Sequence, residues 1–296
     1  DERWRAILAR VEQAVADGLP VAAQVAPRPI GVLLGLQATL TPFSRCPTFA
    51  ALAGRPLDQR VRAMGDASFR AATLAELAER RRQPDFERMF PLGDPPDYEP
   101  PRDASIARAA ERLGCLPAEL AYDLLLEDGG RSFLFAPFAN YADFDLDACG
   151  EMLGHPDTII GLGDGGAHVG TISDGSFPTY ALAHWGRDRS HGRFPVGWLV
   201  EQQASRPARA VGLDDRGVLA PGMRADLNVI DMGRLRCERP TMAFDLPAGG
   251  RRLLQRATGY VATVVAGTPI AYEGEPTGAL PGRLVRGPQP APTAAA

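Results

Sequence analysis

The stretch Thr158-Ile-Ile-Gly-Leu-Gly-Asp-Gly-Gly-Ala-His-Val-Gly170 concentrates the residues best placed for chemistry. Thr158 to Ile160 form a β-branched apolar run that reads as a buried strand. The chain then leaves through Gly161, Gly163, Gly165 and Gly166, so only Asp164 and His168 bring titratable groups to the turn. A lone carboxylate at the C-terminal mouth of a buried parallel strand occupies the position where barrel enzymes keep catalytic residues. A plain Asp-Gly turn is favoured for backbone reasons alone, so both readings stand on this stretch.

Three further side chains are candidates for binding substrate. Arg28 sits in Pro27-Arg-Pro29, directly after the apolar segment Leu19–Ala26, which reads as a strand. The prolines stiffen the loop, and an Arg held at a strand mouth can grip a carboxylate with two parallel hydrogen bonds; a solvated loop Arg is the plain alternative. Asn140 follows the expected strand Arg131–Ala136 and could meet substrate or cap its own loop. His168 belongs with Asp164 near substrate. The other histidines read as structural: His155 at a helix end before Pro156, His184 on a helix face beside Trp185, and His191 in a surface loop.

The elements that must position these groups alternate helix and strand at first. Trp4, Ile7, Leu8, Val11 and Val15 recur at helical spacing, so a helix over 2–17 should stop near Gly18 and feed the Leu19–Ala26 strand. Residues 31–103 break the alternation. Pro47–Leu52 looks helical, Leu57–Arg82 reads as one long charged helical stretch, and Phe90–Pro101 is a Pro-rich connection. An excursion of this length serves as a lid or as a surface ornament, and the lid is the preferred expectation. Ser105 and Pro117 mark two helix starts, and a helix near Leu146–Leu153 leads into the Thr158 strand. Asn140 and Asp164 are therefore expected at neighbouring strand ends. Three helices follow, near Pro178–Trp185, Pro195–Ala204 and Arg206–Val211. The chain then changes character: Pro221-Gly222 is a turn before a short strand, and Val261–Tyr272 is a hairpin turning at Gly267.

Length and composition narrow the class. The chain has 296 residues, 45% of them hydrophobic, and a net charge of -4 with both signs interspersed. A sizeable core is possible, and no basic stripe for nucleic acid is present. Arg greatly outnumbers Lys, which reads as coding bias. Cys46, Cys115, Cys149 and Cys237 form no C-x-x-C pair, and reduced core thiols in a cytoplasmic setting are expected. No apolar run is long enough to cross a membrane.

The strand ending Gly161-Leu-Gly-Asp-Gly-Gly-Ala-His168, the three helices, and Gly217-Val-Leu-Ala-Pro-Gly-Met-Arg-Ala-Asp-Leu-Asn-Val-Ile-Asp231 together resemble the amidohydrolase superfamily. The Gly192-Arg-Phe-Pro-Val196 block and the closing Val261–Ile270 pattern are similar to its N-acyl-D-amino-acid deacylase (D-aminoacylase) branch. The resemblance implies an α/β fold: the C-terminal part of a TIM-like (β/α)8 metal-dependent hydrolase barrel over residues 1–212, with the excursion 31–103. A small β-sandwich module would follow over 213–287, and the Pro/Ala tail 288–296 is expected to be disordered. It also implies Zn2+ as cofactor, Asp164 as metal contact and as the group that passes a proton from attacking water to the leaving nitrogen, and an N-acyl amino acid as substrate. Gly-Asp-Gly-Gly stands where several deacylases carry Ser-Asp-Gly, a departure that keeps the aspartate.

The family also uses His-x-His after the first barrel strand, a bridging ligand and two more histidines. This chain has no His-x-His. A catalytic zinc site takes three protein ligands plus water, so the chain is expected to be a C-terminal portion whose partner is the N-terminal half of the barrel. Two rival readings remain: a cyclic-amide hydrolase of the hydantoinase or dihydropyrimidinase kind, and a non-catalytic half-barrel that pairs with a partner chain or serves only as a scaffold.

Overall fold

The structure is a computed structural model that describes residues 2–163 and 165–292. In chain order, helix α1 (Arg3–Ala16) leads to strand β1 (Ala23–Val25) and then β2 (Ile30–Gly35). Helices α2 (Pro47–Ala50), α3 (Leu57–Met64) and α4 (Ala67–Ala78) precede the short strand β3 (Phe90–Pro91). Next come α5 (Ile106–Leu113), α6 (Pro117–Gly130), β4 (Phe133–Ala139), α7 (Asp147–Gly154) and β5 (Thr158–Ile160). Helix α8 (Phe177–Tyr180) runs on as a π-helical segment, Ala181–Asp188, followed by α9 (Val196–Gln203) and α10 (Ser205–Ala210). The remainder is β: β6 (Leu227–Ile230), β7 (Arg236–Cys237), β8 (Thr241–Leu246), β9 (Gly250–Leu254), β10 (Ala257–Thr258), β11 (Tyr260–Val265), β12 (Thr268–Tyr272) and β13 (Glu275–Pro276).

The fold is mixed α/β, with one parallel pair among the described residues. β1 lies beside β5 with Ala23 opposite Thr158 and Val25 opposite Ile160, so both strands deliver their C-terminal ends to the same side. β4 does not join them. It pairs antiparallel with β2 and β3, with Leu33 opposite Phe135 and Leu34 opposite Leu134. Alternate residues of this sheet point to opposite faces. Leu33, Phe133 and Phe135 therefore enter one core cluster, with Trp185 and Leu153, while Leu34 and Leu134 enter another, with Phe43, Met64 and Tyr122. The second centre is shared by the excursion with α5, α6 and β4, and the sheet is the wall between it and the body that carries β1 and β5.

The stretch expected as one helix over Leu57–Arg82 is two. Gly65 ends α3, and the Asp66 carboxylate accepts from the amides of Ser68 and Phe69 at 2.9 and 3.0 Å, starting α4 afresh. Composition alone favours helix on both sides of that joint, so only the cap reveals the break. The Ser105 start holds, with its hydroxyl accepting from the Arg108 amide at 3.3 Å.

In the β part, β11 and β12 form the hairpin centred on Ala266 and Gly267, both at positive φ. β6 pairs with the other side of β11, giving the order β13-β12-β11-β6. β8 and β9 make a separate antiparallel hairpin. The tail is anchored at its start: the Gln289 amide donates to Gly212 at 2.7 Å, and the Asp214 amide donates to Gln289 at 2.8 Å. Residues 293–296 lie outside the described residues.

Candidate active site

The exits of β1 and β5 define the site. From β5 the chain passes through Leu162 at φ 65°, Gly166 at φ 117° and His168 at φ 50°, left-handed conformations that fold the loop back on itself. The His168 carbonyl accepts from the amides of Thr171 and Ile172 at 2.8 and 3.0 Å, which closes the turn and leaves its side chain exposed. Beyond this exit lies a cavity of about 740 Å³, lined on one side by Gly165–Ala167 and Ser173–Ser176. The opposite wall is Leu246 and Arg252–Gln255 from the β8–β9 hairpin. The Leu253 amide donates to Val169 at 2.7 Å, so the hairpin is tied directly to the loop that follows β5. Asp164 lies outside the described residues, between Gly163 and the cavity-lining Gly165.

Arg28 takes a different part from the one expected. It is 3% exposed and clamped between the rings of Tyr98 and Phe177, its guanidinium carbon 3.9 and 4.6 Å from their centroids. One Nη donates to the Ser176 hydroxyl at 3.0 Å; the other donates to the Ser173 carbonyl and meets the Asp174 carboxylate at 3.3 Å. The two prolines do fix its direction, but they aim it inward. Pro27 itself is held by the Trp185 indole, whose N–H donates to its carbonyl at 2.6 Å. The carboxylate that Arg28 meets is internal. Its effect on the site is indirect, since Ser173 to Ser176 line the cavity. Ser176 also donates to Gln255, whose amide nitrogen donates to Tyr98 Oη at 2.9 Å, so the same network joins both walls.

Asn140 stands apart. It follows β4 at φ 60°, and its Nδ2 reaches the Ala26 carbonyl at 3.4 Å, just past β1. Because β4 pairs with β2 and not with β5, Asn140 lines a second cavity of about 420 Å³ with Trp4, Arg88 and Tyr141. Of the expected residues, the structure therefore brings His168 to the loop beside the main cavity, Arg28 beneath its lining, and Asn140 to another hollow.

A second polar cluster, with Glu99 at its centre, was not legible in the sequence. The Glu99 carboxylate accepts from His184 Nε2 at 2.6 Å, from the Leu146 amide at 2.8 Å and from two nitrogens of Arg189 at about 3 Å. Burial pushes this carboxyl upward, but the hydrogen bonds from His184 and Arg189 outweigh it and hold the group at about 2. Arg189, 3% exposed in its side chain, also bonds Asp147 at 2.6 Å. Tyr180 stacks on His184 at 4.6 Å within the helical run that continues into the π segment. Nothing in the spacing of Glu99, Asp147, His184 and Arg189 signals this meeting, because three separate segments bring them together. The hairpin wall had a weak signal: Pro247-Ala-Gly-Gly250 is a turn-forming run between two short strands.

The family model described as "Amidohydrolase family" matches residues 11–271. The chain belongs to the amidohydrolase family. Among solved structures, this amidohydrolase chain is similar to a D-aminoacylase crystal structure said to define a novel subset of amidohydrolases. That match has 22% identity and a TM-score of 0.36, over 65% of this chain and 36% of that one. A D-aminoacylase studied for its binuclear metal centre matches at 20% identity and TM-score 0.34, with the same coverage. An aspartate-to-alanine D-aminoacylase mutant with copper chloride matches at 19% and 0.33. The chain thus spans about a third of the length of these proteins. A search of curated proteins found no match.

The described residues do not supply the metal site that the family implies. Among them no group of three or more His, Cys, Asp or Glu side chains could hold an ion. Three of the four histidines are engaged elsewhere: His155 meets Glu12 at 2.8 Å, His184 meets Glu99, and His191 meets Asp147 at 3.0 Å. The cysteines are free, with Cys46, Cys149 and Cys237 buried and separate. No helix of the described residues is long and apolar enough to cross a membrane.

Proposed function

We propose that this chain is the C-terminal portion of a metal-dependent amidohydrolase that removes the acyl group from N-acyl-D-amino acids. The observation that carries the reading is the cavity at the exit of β5, with the loop bearing Asp164 on one side and the β8–β9 hairpin on the other. In a barrel enzyme the strand exits hold the reacting groups, and about 740 Å³ accommodates a small acyl amino acid. Family membership supplies the amide-hydrolysing chemistry class. In this reading Asp164 takes the proton of the attacking water and returns it to the leaving amine nitrogen. Zinc is the metal proposed, with its remaining ligands on sequence outside these 296 residues.

Arg28 contributes by holding Ser173, Asp174 and Ser176 in place. His168 stands between the cavity-lining residues Ala167 and Val169. Asn140 steadies the end of β1 through the Ala26 carbonyl and does not meet substrate.

The test is product analysis with the full-length protein containing this chain. Incubation with N-acetyl-D-leucine should release D-leucine and acetate, with N-acetyl-L-leucine cleaved far more slowly. Ring opening of dihydrouracil or a hydantoin without any deacylation would replace this reading with the cyclic-amide one.

A further inference from the structure

Any acyl amino acid placed in the main cavity brings a carboxylate that needs a cationic partner, and Arg28 is already engaged. Among the described residues lining that cavity, Arg252 is the only cation. The other charged lining residue, Asp174, is met by Arg28 at 3.3 Å, so Arg252 is the one positive group there without an internal duty to the loop.

Its geometry suits recognition. Arg252 Nε and one Nη each donate to an oxygen of Asp245 at 2.8 Å, across the β8–β9 hairpin. This side-on pairing fixes the plane of the guanidinium and leaves Nη1 and the outer hydrogen of Nη2 unused, a second fork with the spacing of a carboxylate. The hairpin itself is anchored, since Leu253 is buried and its amide is bonded to Val169 in the loop after β5. At 38% side-chain exposure, Arg252 can be reached from solvent. Leu246, Leu254 and Ile172 line the same space and offer apolar surface to the rest of the ligand.

We propose that Arg252, oriented by Asp245, binds the α-carboxylate of the substrate, and that the β8–β9 hairpin is the wall selecting for anionic acyl amino acids. The inference rests on the deacylase reading for the identity of that substrate, and the two can fail separately.

The experiment uses the full-length protein, its Arg252→Met variant, which keeps the aliphatic stem, and Arg252→Lys, which keeps the charge without the fork. N-acetyl-D-leucine and its neutral carboxamide are titrated calorimetrically into chelator-treated protein, and hydrolysis of both is measured on the metal-loaded form. Arg252→Met should raise Kd and KM for the acid about 10- to 100-fold, as expected for a charge-assisted pair, and leave the carboxamide within about 2-fold. Arg252→Lys should recover part of the loss. Equal weakening of acid and carboxamide would show that Arg252 merely supports the hairpin, and unchanged acid binding in both variants would also overturn the proposal. Arg252-dependent binding of the acid without hydrolysis would keep the carboxylate site and sink the deacylase reading. Hydrolysis indifferent to Arg252 would do the reverse, and an unmodified protein that binds neither ligand would overturn both.

Discussion

Arg28 illustrates how a side chain of the right type can be turned to a different task by its surroundings. Its guanidinium is buried, flanked by two aromatic rings and bonded to Ser173, Asp174 and Ser176. Removing it takes one partner from the Asp174 carboxylate and one from the Ser176 hydroxyl, which keeps its bond to Gln255. Arg28→Met should therefore cost about 3–5 kcal/mol of stability, the range for breaking a buried pair from one side. Urea denaturation measures this directly. A variant with unchanged stability but a weakened KM would mean that Arg28 touches substrate after all. The sequence made the loop legible, since Pro27 and Pro29 do set the backbone. It could not reveal the direction, which depends on Tyr98 and Phe177 arriving from distant segments.

At the scale of elements, the Glu99 cluster ties the Pro-rich connection before α5 to the start of α7 and to the end of the π segment. Its carboxyl lies at about 2, well below its ordinary 4.5. The sign follows from that depression: the contribution is complete above the ordinary value and is lost as pH falls through about 2. It amounts to about 3 kcal/mol at neutral pH, for a side chain 13% exposed. The urea midpoint should fall from about pH 5 to pH 3, and Glu99→Gln should flatten that slope while lowering stability at neutral pH. An unaltered slope in the variant would show that Glu99 is not the titrating group. Elements with local signals were legible, such as the Gly267 hairpin, the Ser105 cap and the strand over Thr158–Ile160. Pairings between distant segments were not. β4 carries the apolar run expected of a strand, yet its antiparallel match to β2 depends on residues a hundred positions away, and that match is what separates Asn140 from the main cavity. The split between α3 and α4 rests on one aspartate cap.

For the whole molecule, the unfinished surfaces are as informative as the core. The β1–β5 pair is the only parallel ladder among the described residues, and parallel strands are normally buried within larger sheets. Ile7, Leu19 and Val21, on α1 and the segment entering β1, are exposed apolar side chains. Both features fit a body that further barrel strands would cover. Family membership, the cavity at the β5 exit and the scattered histidines are the grounds for the proposal, in which Asp164 is the reacting carboxylate and the metal ligands lie elsewhere. The most direct test measures bound metal and N-acetyl-D-leucine hydrolysis for the 296-residue chain, for the full-length protein and for full-length Asp164→Asn. Metal and turnover are expected in the full-length protein, neither in the chain alone, and a loss of about 10²–10⁴-fold in kcat in the variant. Stoichiometric metal with turnover by the chain alone, or full activity in Asp164→Asn, would contradict it.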